Sequence, residues 1–600
     1  LGMADERVSL LPADEEEESF TADDLLKYRQ QITIGACALL AILLLGWWFG
    51  RGPAKSTGTG IKEEALNLHR DLRLAWLRLN ASPNWLPLSY QIDPPDYFEK
   101  VPETQKPRNH FAPSFGPPEC PPEDVKAASL SDWDQYTFQT EKMVVAKGCN
   151  IYDAAIGSIA LAVGGQPDLA SSFYRDVLDP GATAGLRSIR GDAKCKGRQA
   201  FGECDPQKDG SCGLCYGDKN ETMTPATRQS WFFRMISDQY AYQDAENALC
   251  PLAKTQVAKK DPNTPDRPRY WTWIDWKPVL GDNAWPLLTG VAHVLWQDSK
   301  GRPTLIADDA PELLLALDFL ASLKRMVAGA SGGVYFCPRN TYYGSTGVDI
   351  GSLVSTENNA SLLAGLKALR YLLKAMKRPA FSKQIQEIDG LIAGIHKYMR
   401  SAYDTKKQHF RTGGKWNVQT QSMEWDDVVF AVDCQSWVGS VLGPGLIDRW
   451  FGSGAALKLW DKTKAVAGYA PQPNGMVKGV GYSKNDEDQV FSGEWSFGAA
   501  NFLKIMAMDS SYSGSTRTAL MEQAEMIAKA IREELTRDVK FFSEPAQGVL
   551  YANKRYMIPI ELGGWWANPL PSRASTAWSF LWDVDFNPLH LQGRFSATYD

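Results

Sequence analysis

The chain has 600 residues, 44% of them hydrophobic, which is enough to bury a large core, and its 64 Lys and Arg against 70 Asp and Glu leave a net charge of -6. No Lys/Arg block or basic stripe occurs along it, so a nucleic-acid partner is not expected. There are six His, no two spaced as ligands on one helix face, so neither a His-built metal site nor a His-dependent triad is expected, and no cofactor is called for.

Residues 1–31 are acidic and read as a disordered cytoplasmic tail. Residues 32–50, ITIGACALLAILLLGWWFG, form an uncharged run close to the roughly 20 residues that cross a bilayer, with Trp47 and Trp48 at its interface, and predict a single-pass membrane anchor. An acidic stretch precedes the run and no small-x-small cleavage pattern follows it, which argues against a cleaved signal peptide. Residues 51–125 read as a stem and wrap. RGPAKSTGTG is flexible, residues 61–79 have helical spacing of Leu and Trp, and eleven of the 35 prolines between 80 and 122 predict an extended cover rather than a packed helix.

Residues 126–600 are expected to form the main domain. Helical patterns cover 151–163, 226–249, 284–297, 310–328, 357–377, 381–402, 434–442, 494–508, 515–536 and 573–583. Within the domain, 190–222 is a hydrophilic, Gly-rich insertion holding Cys195, Cys204, Cys212 and Cys215. It reads as a disulfide-stapled loop, although the C-x2-C pair at 212 and 215 also permits zinc. Together with the anchor, it implies a body on the lumenal or extracellular side, in the secretory pathway or at the cell surface. Asn80, Asn220 and Asn359 lie in N-x-S/T sequons, which a chain of this length contains by chance.

Five segments share one form: an acid or hydroxyl, a small or aromatic residue, then an apolar helix. They are GDNAWPLLTGVAHVLW with Asp282, STENNASLLAGLKALRYLL with Glu357, VDCQSWVGSVLG with Asp433, SGEWSFGAANFLKIMA with Glu494, and NPLPSRASTAWSFLW with Ser572. Between them lie helices with charged faces. That alternation implies an inner and an outer ring. In a barrel of helical hairpins the inner helices run parallel, so their N-termini share a rim and the four acids converge. The alternative for each acid is a helix start that complements the dipole.

These spaced motifs, with the late GGWWANPLPSRASTAW, resemble the six-hairpin glycosidase superfamily over roughly 225–590. What the resemblance implies is a mainly α fold, an (α/α)6 barrel, and a carbohydrate-active enzyme with an acidic cleft that takes a polysaccharide or oligosaccharide. It leaves linkage and oligomeric state open.

Glycoside cleavage needs a carboxylic acid to protonate the leaving oxygen and a second carboxylate to activate water or attack carbon. Glu357 is the expected general acid, since it opens an apolar helix and neighbouring carboxylates would raise its pKa. Glu494 is expected as base ahead of Asp433, with Asp282 the fourth candidate. Trp285, Trp437 and Trp495 follow rim acids closely, and Trp565 and Trp566 precede the last inner helix; all five are candidate sugar platforms or else packing wedges. Asn358 would hold a substrate hydroxyl or the acid itself. Arg555 would pair with a rim acid or bind an anionic sugar, and Asp426 and Asp427 read as solvated loop charges. Alternatives to a membrane-anchored hydrolase of a glucan-like polymer are a polysaccharide lyase or epimerase and a non-catalytic glycan-binding scaffold.

Overall fold

A computed structural model of the chain describes residues 58–82, 86–106, 138, 141, 142, 144–178, 234–238, 271–275, 279–337, 342, 343, 348–426, 428–485, 487–559, 562 and 564–599. The acidic tail, the apolar run 32–50, the Cys-rich insertion 190–222 and Asp427 lie outside these residues. The expected single-pass placement is corrected: among the described residues no helix is long and apolar enough to cross a membrane. The chain divides into Leu1–Leu66 and Asn67–Asp600. Of the first unit only the start of helix α1, Gly58–Leu79, is described. The second unit holds the helical domain.

Polar side chains cap four of the six inner helices. Asn150 caps α2 (Ile151–Val163), its side chain accepting from Tyr152 N, and α3 (Pro167–Ser172) turns back along α2. Helix α4 (Leu280–Ala284) runs through a π turn, Trp285–Gly290, into α5 (Val291–Asp298), and α6 (Pro311–Leu323) returns outside it. Pro286 lacks an N–H and its ring crowds the preceding turn, which gives the local widening a cause.

Ser355 caps α7 (Thr356–Met376), which is buried on nearly every face, whereas its partner α8 (Ser382–Ala402) buries one stripe including Ile388, Leu391, Ile395 and Met399. That contrast separates an inner helix from an outer one. The remaining hairpins are α9 (Asp433–Leu442) with α10 (Pro444–Phe451) and α11 (Ala455–Ala467), and α12 (Gly493–Met508) with α13 (Gly514–Ala530). Ser492 caps α12, and Ser572 caps the last helix, α14 (Arg573–Asp583).

Among the described residues the inner helices form a closed ring. Helix α2 packs on the α4–π turn–α5 segment, that segment on α7, α7 on α9, α9 on α12, α12 on α14, and α14 back on α2. Outer helices α3, α6, α8, α10 with α11, and α13 each cover one of them. This is the (α/α)6 architecture the sequence led us to expect. Helix α1 supplies the remaining cover: Leu74 lies against Gly164 at the end of α2, and Arg73 forms a buried ion pair with Asp583 at the end of α14.

Short antiparallel sheets decorate the ends. One joins β1 (Gly148–Asn150), β2 (Met235–Asp238) and β3 (Trp271–Asp275), so the helix expected over 226–249 is a strand where it is described. A second has β4 (Leu353–Ser355) and β6 (Ser422–Asp426) on either side of β5 (Gly413–Asn417) and lies at the capped end of α7. Helices α10 and α11 were not anticipated, because the charged WDKTKAV of α11 follows a Gly-rich start that reads as a loop.

Candidate active site

The N-terminal ends of α2, α4, α7, α9 and α12 meet around a cavity of about 150 Å³. Asp282, Glu357, Asp433 and Glu494 all line it, from α4, α7, α9 and α12, and so do Trp285, Trp437, Trp495, Trp565 and Trp566. Two further carboxylates not picked out in the sequence also line it, Glu141 and, on α2, Asp153. The Asp153 segment NIYDAAIGSIALAV has the same form as the other four, an acid in the first turn of an apolar helix.

Each acid has a definite setting. Glu357 Oε1 accepts from Ser361 Oγ at 2.6 Å, and Oε2 accepts from Asn358 Nδ2 at 2.7 Å. Asn358 therefore holds the acid itself, while its Oδ1 accepts from Gly281 N at 2.6 Å and ties α7 to α4. Burial, and after it the charge of Asp433, pushes the Glu357 carboxyl up to about 8, against the pull of the Ser361 hydrogen bond. Burial raises Asp433 to about 6, opposed by the backbone N–H of Cys434, which donates to Oδ1 at 2.6 Å.

Glu494 is buried and accepts from Tyr152 Oη at 2.6 Å, and Tyr152 Oη in turn accepts from Trp578 Nε1 at 3.0 Å. Burial, with Asp153 next, lifts the Glu494 carboxyl well above the usual range. Asp153 rises to about 7, through burial first and with Asp282 adding to it. Asp282 pairs with Arg234 at 3.2 Å, and the Arg234 guanidinium lies 5.7 Å from the Trp565 ring centre. The aromatic wall is continuous: Trp285 and Trp437 have ring centres 5.7 Å apart, Trp437 and Trp578 6.2 Å, and Tyr152 lies 5.2 Å from Trp285.

One expected site residue lies elsewhere. Arg555 does not itself line the cavity and meets none of the four rim acids: it forms a buried ion pair at 2.6 Å with Glu141, a carboxylate that does line it, and lies 4.3 Å from the Trp566 ring centre. Its partner precedes it by more than 400 residues, so local sequence carried no trace of the pair. Asn359 of the third sequon is fully buried, its amide spent on both backbone groups of Val334, and Asn80 of the first is buried too. Neither can accept a glycan in the folded protein. Asp426 is exposed, as a solvated charge should be, and caps its own turn through Val428 N.

A second, larger cavity of about 660 Å³ adjoins the first and shares Arg234, Asp282, Glu357, Asp433, Trp495 and Trp565 with it. Its other walls are the β4–β5–β6 sheet, Phe336, Ile350 and Leu562. Among the described residues no group of three or more His, Cys, Asp or Glu side chains is disposed to hold a metal ion.

No family model matches the chain, and no curated protein matches it in sequence. Solved structures do. An unsaturated glucuronyl hydrolase from Bacillus sp. GL1 is 12% identical, the match covering 51% of this chain and 78% of that one at a TM-score of 0.35. A glycosidase solved in complex with glucose is 12% identical over 73% of this chain and 87% of its own, at 0.36. An α-1,6-mannanase of Salegentibacter sp., solved with α-1,6-mannotetrose, is 12% identical over 51% and 74%, at 0.30. All three TM-scores are below 0.5, and the functional assignment rests on the chain's own geometry.

Proposed function

We propose that the chain is a glycoside hydrolase acting on a glucan-like polysaccharide or glycan, with Glu357 as general acid. The observation that carries this reading is the convergence of Asp153, Asp282, Glu357, Asp433 and Glu494, from the starts of five inner helices, on one aromatic-walled cavity. A carboxyl held near 8 keeps its proton at neutral pH and has one to give. In the reaction the C1–O bond breaks with its electron pair passing to the oxygen, which takes the Glu357 proton. Water's oxygen bonds to C1 and its displaced proton passes to a second carboxylate, so one water is added across the bond.

Asp433 is the better second carboxylate. At about 6 it is ionised at neutral pH, whereas burial and then Asp153 push the Glu494 carboxyl well above the usual carboxylate range. This reverses the order expected from sequence, where both acids simply open apolar helices. A lyase or epimerase would need a basic tyrosine and a free cation; burial and then Glu494 raise the Tyr152 pKa, and Asp282 neutralises Arg234.

The test is product analysis after incubating wild-type protein and Glu357→Gln with a panel of neutral and uronate-containing oligosaccharides. Hydrolysis of a neutral member by wild type, with loss of turnover in the variant, supports the reading. Unsaturated products would point to a lyase, and binding without turnover to a scaffold.

A further inference from the structure

The two adjoining cavities differ in size, in charge and in which acids they share, and those differences assign a direction to the substrate. The smaller has a volume about that of engineered cavities that take up a single benzene ring, so it admits one sugar ring and not two. The larger, about 660 Å³, falls in the range of clefts that hold several rings' worth of ligand. Glu357, Asp433 and Asp282 line both, so they stand at the waist where the cavities join. A bond between two sugars is cut where the acid reaches its oxygen, and that places the scissile bond at the waist.

Charge decides which ring lies on which side. Glycoside cleavage builds positive charge on the ring that loses its leaving group. Stabilising groups are most effective where that charge develops in a dry site. Asp153, which at about 7 is in part ionised at neutral pH, lines only the smaller cavity together with the carboxyl of Glu494; both are buried, and the π faces of Trp285 and Trp437, which also favour positive charge, line it as well. The acids peculiar to the larger cavity, Glu424 and Asp426, are exposed on β6, with exposed Lys415 opposite Glu424 on β5.

Building on the hydrolase reading, we propose that the enzyme is exo-acting: a single terminal sugar occupies the acid-rich smaller cavity, the rest of the chain lies in the larger one as leaving group, and one monosaccharide is released per turnover from the non-reducing end. Trp425 of β6, which lines only the larger cavity and is half-buried, is then a platform for the leaving-group sugars.

The experiment tracks the first minutes of cleavage of malto-, cello-, laminari- and mannohexaose, each carrying a fluorophore at the reducing end, by the full chain. Exo action gives free monosaccharide from the earliest time point and a labelled ladder that shortens one ring at a time. Trp425→Ala is expected to raise KM for the labelled hexaose at least several-fold more than KM for an aryl monoglycoside of the same sugar. Labelled fragments of two to four rings at the start, without monosaccharide, overturn the exo assignment and leave the hydrolase reading standing. If wild type cleaves no probe and none shifts the melting temperature of Glu357→Gln, the hydrolase reading falls and takes this one with it.

Discussion

At the scale of single residues, Glu357 joins stability to activity through one proton. Its ordinary value is 4.5 and burial in the cavity raises it to about 8. Between those values the folded chain binds a proton that the unfolded chain has released, so stability from this group is full below about 4.5 and is lost as pH rises through 8. Asp433, at about 6, and Asp153, at about 7, act in the same direction. Melting temperature should therefore fall from pH 5 to pH 9, and Glu357→Gln, which keeps the shape and removes the titration, should flatten that fall in a scan of melting temperature against pH. The same substitution should lower turnover by about 10²–10⁴ while the protein remains folded. The pH profile of kcat/KM should drop below about 6, as Asp433 is protonated, and above about 8, as Glu357 loses its proton. A change of roughly 0.3–1 kcal/mol in stability with turnover intact would instead make Glu357 a helix-dipole partner. The four acids were legible because a carboxylate opening an apolar helix is a local pattern. Asp153 was equally legible and was passed over, since Asn150 stands where the other segments carry their acid or hydroxyl. Arg234 and Glu141 left no such mark: their placement beside the cavity depends on strand pairing and on ion pairs between distant segments.

At the scale of elements, the cavity wall depends on how closely neighbouring inner helices approach. Gly498, one turn beyond Glu494 on α12, faces Trp437 of α9, and a Cβ there would stand 2.5 Å from Trp437 Nε1. Trp437 is 5% exposed and packs against Tyr152, Trp285 and Trp578, so its ring can yield only toward the cavity or by parting the helices. Gly498→Ala should cost about 1–3 kcal/mol, the usual effect of overpacking, and should lower kcat/KM. Because Trp437 Nε1 has no hydrogen-bond partner among the described residues, Trp437→Phe loses volume without leaving a donor's partner unsatisfied. The double variant should recover part of the stability lost by Gly498→Ala, a coupling readable as non-additive melting data. The alternation of all-round and one-sided burial was visible in sequence, and it assigned five of the inner helices correctly. That their N-termini share a rim was an inference from hairpin geometry. The short sheets at the capped ends were not visible, because strands of two to seven residues are too brief for a period of two to emerge from loop sequence.

At the scale of the whole molecule, ring closure is fastened by residues that sequence assigned to the stem. Arg573, 1% exposed at the start of α14, donates from Nε to Leu88 O at 2.9 Å, from Nη1 to Leu77 O at 3.0 Å and from Nη2 to Asn80 O. These carbonyls end α1 and begin the chain beyond it; Leu88 O and Asn80 O have second partners in Asn80 Nδ2 and Leu88 N, and the guanidinium satisfies Leu77 O, which burial would otherwise strand. Burial lowers its pKa only to about 10, and it stays charged at neutral pH. The same segment buries Trp76 completely, its Nε1 donating to Gln91 Oε1 at 2.7 Å, and contributes the Arg73 half of the ion pair with Asp583. Arg573→Met, which keeps much of the volume and removes every donor, should therefore destabilise by about 1–3 kcal/mol, because Leu77 O is left unpaired while Leu88 O keeps Asn80 Nδ2 and Asn80 O keeps Leu88 N. The expected domain start near residue 126 meets a sharper test in truncation. A chain beginning at residue 58 should melt cooperatively. One beginning at 126 exposes the α2–α14 seam and takes Arg73 from the buried Asp583, which keeps only the Arg532 half of its pairing, at 3.2 Å, among the described residues. Circular dichroism melts of the two would decide it: a cooperative transition in the shorter chain, at a temperature close to that of the longer, would return α1 to the status of a stem.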